Sequence, residues 1–215
     1  YSMGKLIAIR HGQSTWNAEN RFTGWVDVDL SEKGVAEAEK SGKLIKELNI
    51  DFDICFTSYL KRAINTLEII LEVLGKDIKY IKAVENNERH YGSLTSLVKS
   101  EERAKLGEEQ FKKYRRSWDV RPPSLDKNSK YSSHKDPLYK NLNNIPDTES
   151  LKDTYERVVP YYEKNIEKLL KENKNIILSA HNPSEYEIWA ADMNIDSLIN
   201  VLDVVELANL VLGLD

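Results

Sequence analysis

Hydrophobic positions along the chain alternate between strand-like runs and helix-like periods. Lys5–Arg10 (KLIAIR) is a short apolar run closed by charge, which predicts a buried strand. After Ser31, placed as an N-cap, Val35, Ala38, Gly42 and Ile45 recur at helical spacing and predict a small-residue face. Phe52–Phe56 predicts a second strand. Ser58 reads as the cap of the next helix, in which Ala63, Leu67, Ile70 and Leu74 recur and Gly75 supplies the stop. Ile78–Ile81 predicts a short third strand. Regularity lapses over roughly 85–147, where a helix from about Gly107 to Trp118 precedes Pro122-Pro123 and the polar run SLDKNSKYSSHKD. This section reads as a surface insertion folded over one face of the core, and its composition leaves a disordered linker open as the alternative. At Ser150 the period returns. Ser150 and Asp153 are spaced as a capping box, and Leu151, Tyr155, Val158, Tyr162, Ile166 and Leu169 mark a long amphipathic helix. Ile176–Ala180 (IILSA) predicts another strand, and a last apolar run lies near Leu210–Leu214.

Strands alternating with helices define an α/β fold. The expected form has three layers: a mostly parallel central sheet flanked by helices, with an irregular insertion over the active-site face. A length of 215 residues fits a single domain able to bury its own core. Forty per cent hydrophobic and 31% charged is ordinary for a globular chain. The formal net charge of −4 argues against nucleic acid as a partner. It also means that an anionic ligand needs a local cluster of cations rather than the overall field. The lone cysteine, Cys55, lies in an apolar run and reads as a core residue of a reduced, cytoplasmic protein. No apolar stretch approaches the roughly 20 residues that cross a bilayer. The opening YSMGKLIAIR lacks a secretory pattern, and Tyr1-Ser2 ahead of Met3 read as residues added before the natural start.

The candidate chemistry begins with a coincidence of layout. His11 follows one apolar strand (LIAIRHG) and His181 another (IILSAH). In open α/β sheets, ligands bind outside the carboxyl ends of the strands, so two central parallel strands would bring both imidazoles to one crevice. Either histidine alone reads equally well as a hydrogen-bonded residue at a strand end. With Arg10 beside one of them, and Arg62 one turn into the helix after a third strand, the set reads as an anion site. Guanidinium binds phosphate oxygens bidentately, and a neutral imidazole can attack phosphorus. The residues thus indicate an anion site with a candidate histidine nucleophile.

Longer motifs sharpen this. RHGQSTWN at 10–17, continuing through ENRFTGWVDVDLSEKG, resembles the cofactor-dependent phosphoglycerate mutases of the histidine phosphatase superfamily. So do TSYLKRAINT (57–66), NERHYGSL (87–94), GEEQ (107–110), YRRSWD (114–119), YKNL (139–142), TESLKDTYERVVPYY (148–162) and LSAH (178–181). The resemblance implies an isomerase that interconverts 3-phosphoglycerate and 2-phosphoglycerate, in glycolysis and gluconeogenesis, through a phosphohistidine on His11. It implies that 2,3-bisphosphoglycerate primes the enzyme and that no metal takes part. Arg10, Arg62 and His181 would surround the transferring group, with Ser14, Asn17, Thr23 and Gly24 lining the same pocket. Glu88 would exchange the proton of the substrate hydroxyl. Arg89, Tyr91, Lys99, Arg115 and Arg116 would hold the carboxylate and the second phosphate. Each phosphate carries about −1.5 to −2 charges at neutral pH, which explains why so many cations are needed. Family members are often homo-dimers or tetramers. Trp16, Trp25 and Trp118 read as packing residues and His134 as a surface histidine.

The likeness runs from about residue 5 to residue 181 and then stops. Where the family continues with Gly-Asn-Ser-Leu-Arg, this chain has Asn182, Pro183, Ser184, Glu185 and Tyr186. The family's proline- and glycine-containing turn before its final strand is absent from DVVELANLVLGLD, and the chain stops at Asp215, where relatives carry a further tail. Residues 182–215 therefore form a divergent segment. Two alternatives to the mutase follow: a phosphatase using the same phosphohistidine, and a catalytically weakened protein of the same fold.

Overall fold

The computed structural model describes residues 3–181. The divergent segment 182–215, including Asn182–Tyr186 and the apolar run near Leu210–Leu214, lies outside the described residues. In chain order the elements are β1 (Leu6–Arg10), the single turn α1 (Thr15–Ala18), α2 (Glu32–Glu47), β2 (Ile54–Thr57), α3 (Lys61–Leu74) and β3 (Tyr80–Lys82). They continue with α4 (Lys99–Leu106), α5 (Glu108–Arg116), α6 (Leu151–Tyr161), α7 (Lys168–Lys171) and β4 (Ile176–Ala180). The four strands form one parallel sheet in the order β1-β4-β2-β3.

Parallel strands covered on both faces must be apolar on both, and the two faces divide by residue parity. Ile7, Ile9, Cys55 and Ile177 pack with Ile45 of α2 and with Leu67 and Ile70 of α3. Leu6, Phe56, Ile176 and Leu178 pack with Tyr162, Ile166 and Leu170. The result is helix, sheet, helix in three layers, as the sequence pattern predicts. Cys55 is fully buried in the first cluster, and burial pushes its thiol up to about 12.

Local details depart from the sequence reading in instructive ways. Ser31 does cap α2, accepting the Gly34 N–H at 3.1 Å, but the buried face uses Gly34 in place of Val35. The reason is a close approach: a Cβ on Gly12 would collide with the Gly34 carbonyl, and one on Gly34 with the Gln13 carbonyl. The loop after β1 therefore lies directly on the first turn of α2, where only glycine fits. α3 starts later than expected, with Leu60 at its N-cap and no side-chain cap, while Gly75 ends it in the left-handed conformation as predicted. Pro160 sits inside α6 and offers no N–H, and the helix then runs through a π-helical stretch, Tyr162–Glu167, before α7.

The middle section is no linker. α4 and α5 form a helical pair, and Phe22, Leu94 and Phe111 build a small satellite core beneath them. Backbone bonds such as Ser93 N to Pro123 O (2.7 Å) and Leu125 N to Asp147 O (2.9 Å) tie its irregular parts together.

Candidate active site

The register of the sheet brings the two histidines together. β1 and β4 are neighbours, with Arg10 paired to Ala180, so His11 and His181 are the next residues on adjacent parallel strands. The His11 N–H donates to Ala180 O at 3.1 Å, and the two rings meet edge-on with centroids 5.1 Å apart. Thr57 at the end of β2 pairs with Ser179 on the other side of β4, which puts Ser58 within 2.8 Å of His181 Nε2. Arg62 reaches the same crevice from the first turn of α3.

Chemistry at His11 is set by its ring partners. Nδ1 lies 2.6 Å from Gly12 O, and a carbonyl only accepts, so Nδ1 carries the proton and Nε2 keeps its lone pair. Burial, followed by the charges of Arg62 and Arg10, holds the imidazole well below its ordinary range. His11 is thus a neutral imidazole at neutral pH with an unprotonated Nε2. His181 is depressed for the same reasons, burial first and Arg62 next.

Arg62 is 1% exposed and fully employed. Its NH1 group donates to Val26 O at 2.8 Å, and its NH2 group donates to Gly24 O at 2.7 Å and to Glu88 Oε2 at 2.5 Å. The Glu88 backbone is pinned as well, its carbonyl accepting from Trp25 Nε1 (2.7 Å) and Arg157 (2.9 Å). His11, Glu88 and His181 each present one ligand-type atom within 4.8 Å of the others. Two imidazoles and a carboxylate are a donor set that a divalent cation accepts. Here, however, Arg62 already pairs with Glu88, and its charge together with that of Arg10 bears on both rings. The local field therefore favours an anion.

A second cationic patch adjoins this centre. Lys99, at the start of α4, is depressed by burial and then by Arg115, with Arg10 and Arg116 adding and Glu88 opposing. Arg115, half-buried at the end of α5, is lowered by burial and then by Arg116. Cations this close disfavour one another's charge, and an anion placed among them would relieve that repulsion. Arg116 is exposed, and Tyr91 is half-buried with the Arg89 guanidinium over its ring.

Four expected pocket residues have structural bonds that sequence alone did not show. Arg89, 1% exposed, donates to the carbonyls of Glu149 (2.9 Å), Arg115 (3.0 Å) and Tyr114 (2.8 Å). It satisfies the carboxyl end of α5 and so positions Arg115. Ser14 and Asn17 form the reciprocal capping box of α1. Gly24 has φ +58°, which favours glycine, and gives its carbonyl to Arg62. Thr23 is buried beside it.

Two further residues escaped the sequence reading. Ser58, expected as a helix cap, faces His181 instead. Arg157 on α6 straps the Glu88 segment, donating to the carbonyls of Glu85, Asn87 and Glu88 and pairing with Glu149. Its only signal was an arginine beside two buried valines, which does not reveal what it reaches. Trp25 is buried and Trp16 packs edge-on against Tyr131, whereas Trp118 is 42% exposed and packs edge-on against Tyr155. His134 is exposed and bonded to Asp147.

His90 gives the scaffold a pH dependence. It is 2% exposed, its Nδ1 accepts the Gly92 N–H at 2.9 Å, and burial pulls it down to about 4, against the opposing charge of Glu149. The folded state keeps this ring neutral while the unfolded chain takes up a proton below about pH 6.5, so stability falls as pH drops from there towards 4. At pH 5 the His90 contribution to that loss is about 2 kcal/mol. His11 and His181 act in the same direction. Thermal unfolding at pH 7 and pH 5 should show a lower Tm at pH 5, and a smaller drop in His90→Gln. An equal drop in that variant would remove His90 from the account.

The chain belongs to the histidine phosphatase superfamily, whose branch 1 family model matches residues 6–135. Among its relatives, the 2,3-bisphosphoglycerate-dependent phosphoglycerate mutase of Pelagibacter ubique is 51% identical over 184 residues, covering 85% of this chain and 77% of that protein. The protein of the same name from Lactococcus lactis subsp. cremoris is 50% identical over 185 residues, covering 85% and 79%. Solved structures share the fold at lower identity. A phosphoglycerate mutase from Bacillus anthracis superposes with a TM-score of 0.62 at 20% identity, covering 87% of this chain and 80% of that one. Bacillus stearothermophilus YhfR superposes with a TM-score of 0.64 at 22% identity, covering 89% and 81%.

Proposed function

We propose that this chain interconverts 3-phosphoglycerate and 2-phosphoglycerate through phospho-His11, primed by 2,3-bisphosphoglycerate. The observation that carries the reading is the neutral, buried His11 with a free Nε2 lone pair, set among Arg10, Arg62 and His181 with Glu88 beside them.

On phospho-His11 the free 2-hydroxyl of bound 3-phosphoglycerate attacks phosphorus, the N–P bond breaks with its electron pair returning to Nε2, and the Glu88 carboxylate takes the hydroxyl proton, leaving 2,3-bisphosphoglycerate in the site. In the return step the Nε2 lone pair attacks the 3-phosphoryl group, the P–O bond breaks, and its electron pair stays on the glycerate oxygen, which takes the proton back from Glu88 and leaves 2-phosphoglycerate. Charge on the transferring oxygens is met by Arg10, Arg62 and His181, fixed before the reaction begins. A phosphoryl dianion arriving there competes with Glu88 for Arg62, which frees the carboxylate for the substrate hydroxyl. Lys99, Arg115 and Arg116 hold the non-transferring phosphate and the carboxylate. Tyr91 borders them, and Arg89 acts through Arg115. Ser14, Asn17, Thr23 and Gly24 shape the loop over the phosphoryl site. No metal has a part in these steps.

In this reading the chain is cytoplasmic, which its lone buried cysteine supports, and a homo-dimer or tetramer, which the family resemblance supports. Among the described residues no helix is long and apolar enough to cross a membrane.

A coupled assay decides between mutase and hydrolase. With 3-phosphoglycerate and a trace of 2,3-bisphosphoglycerate, 2-phosphoglycerate should appear, with strict dependence on the primer and little inorganic phosphate. Phosphate release without 2-phosphoglycerate would assign the site to hydrolysis instead.

A further inference from the structure

Ser58 lies one residue beyond β2 and is fully buried. Its Oγ sits 2.8 Å from His181 Nε2 and accepts the Leu60 N–H at 3.2 Å. The other ring nitrogen of His181, Nδ1, is buried without a hydrogen-bond partner among the described residues, 3.9 Å from Glu88 Oε2. A neutral imidazole holds one proton, and these contacts decide where it sits. With the proton on Nε2, Ser58 Oγ would receive two N–H groups while its own hydroxyl proton found no acceptor, and the Nδ1 lone pair would face a carboxylate. With the proton on Nδ1, the Ser58 hydroxyl donates to Nε2, the Leu60 N–H fills an oxygen lone pair, and an N–H faces the Glu88 side of the crevice. The second arrangement satisfies every group except Nδ1–H itself, which is left for a ligand.

We infer that Ser58 is a positioning residue that fixes His181 as the Nδ1–H tautomer, so that His181 meets the transferring phosphoryl group as a neutral hydrogen-bond donor. This rests on the phosphohistidine reading proposed above, because a donor is useful only where anionic charge moves. A neutral donor suits the site: Arg10 and Arg62 already supply positive charge, and a third cation beside them would oppose ionisation of the others. Burial and the neighbouring guanidiniums keep the His181 ring neutral, which agrees with this role. The logic parallels a catalytic imidazole whose orienting partner sets its tautomer, with a hydroxyl in place of a carboxylate.

The chain has four histidines, so imidazole nitrogens can be followed one by one in ¹⁵N-histidine-labelled protein by long-range proton–nitrogen correlation. His181 is assigned by the signals lost in His181→Gln. In the wild type at pH 7, His181 should show a protonated-type Nδ1 and an unprotonated-type Nε2. In Ser58→Ala the pattern should move towards the other tautomer. Phosphoenzyme formation from 2,3-bisphosphoglycerate should then slow by about 10- to 100-fold, short of the 10²–10³ typical of removing one such donor outright. Its half-saturating concentration should change by less than about threefold, since binding is not what the tautomer serves. Ser58→Thr keeps the hydroxyl and should restore both tautomer and rate.

An Nε2–H signal in the wild type overturns the inference, and that spectrum decides whether or not the variants fold. So does a folded Ser58→Ala protein with unchanged tautomer and rate. A wild type that forms no phosphoenzyme overturns the phosphoryl-transfer reading and with it the role of the donor, while the spectrum still settles the tautomer.

Discussion

Replacing His11 with alanine should leave a folded protein that forms no acid-labile phosphoenzyme and interconverts no phosphoglycerate. Among the described groups at the crevice, His11 Nε2 is a free lone pair on a neutral ring, and the others are already committed. His181 Nε2 is bonded to Ser58, Glu88 is paired with Arg62, and the remaining groups are cations. The loss of turnover should reach at least about ten-thousand-fold, or roughly 5 kcal/mol of activation free energy. Intact mass after incubation with 2,3-bisphosphoglycerate, before and after acid treatment, measures the adduct directly. Stoichiometric phosphorylation in the variant would remove His11 from the mechanism. A circular dichroism spectrum like that of the wild type keeps misfolding out of the interpretation.

Arg62→Ala should damage stability and chemistry together. The guanidinium is 1% exposed and the Glu88 side chain 16%, so the pair is screened little. Removing one partner strands the other charge and leaves the Gly24 and Val26 carbonyls without their donors. Breaking a buried pair in this way costs about 3–5 kcal/mol, and for a chain of this size lowers Tm by about 6–20 °C. Phosphoenzyme formation should fall by at least the 10²–10³ expected for one oxyanion-stabilising donor. Adding Glu88→Gln to Arg62→Ala should recover part of the lost Tm, since it removes the stranded charge, but none of the lost turnover. If the single variant unfolds at the wild-type temperature, the ion pair contributes nothing to the fold.

What the sequence revealed depended on how local the cause was. β1 and β4 stood out because strands buried on both faces are apolar throughout, and the Ser150–Asp153 box and the Gly75 stop are read within a few residues. Both histidines were found from their places after strands, a rule of topology rather than of side-chain detail. α4 was missed because KSEERAKL is polar on nearly every face, with only Glu102 buried. β3, a short edge strand held mainly by backbone bonds to β2, was placed two residues early because Ile78 packs in the core just ahead of it. Ser58 was read as a cap because cap and ligand share one residue type, and the histidine that claims it lies 123 positions away. Arg89 stands next to Glu88 in sequence, yet its bonds run to carbonyls some 25 and 60 residues on. Contacts of that span leave no periodic trace.

The strand order has a consequence for the order of synthesis. β4 is the last strand of the described chain, and it enters between β1 and β2 rather than at an edge. Until it does, β1 and β2 have no hydrogen-bonded neighbour in common, and Ser58 waits without the imidazole it addresses. A nascent chain therefore carries the proposed nucleophile from residue 11 onward but gains the facing imidazole only after residue 181 has left the ribosome and its strand has inserted. Closing so long a loop is slow compared with forming the α2–α3 pair. During that interval His11 lacks its facing imidazole, so in the proposed mechanism the phosphoryl site is complete only when the sheet is complete.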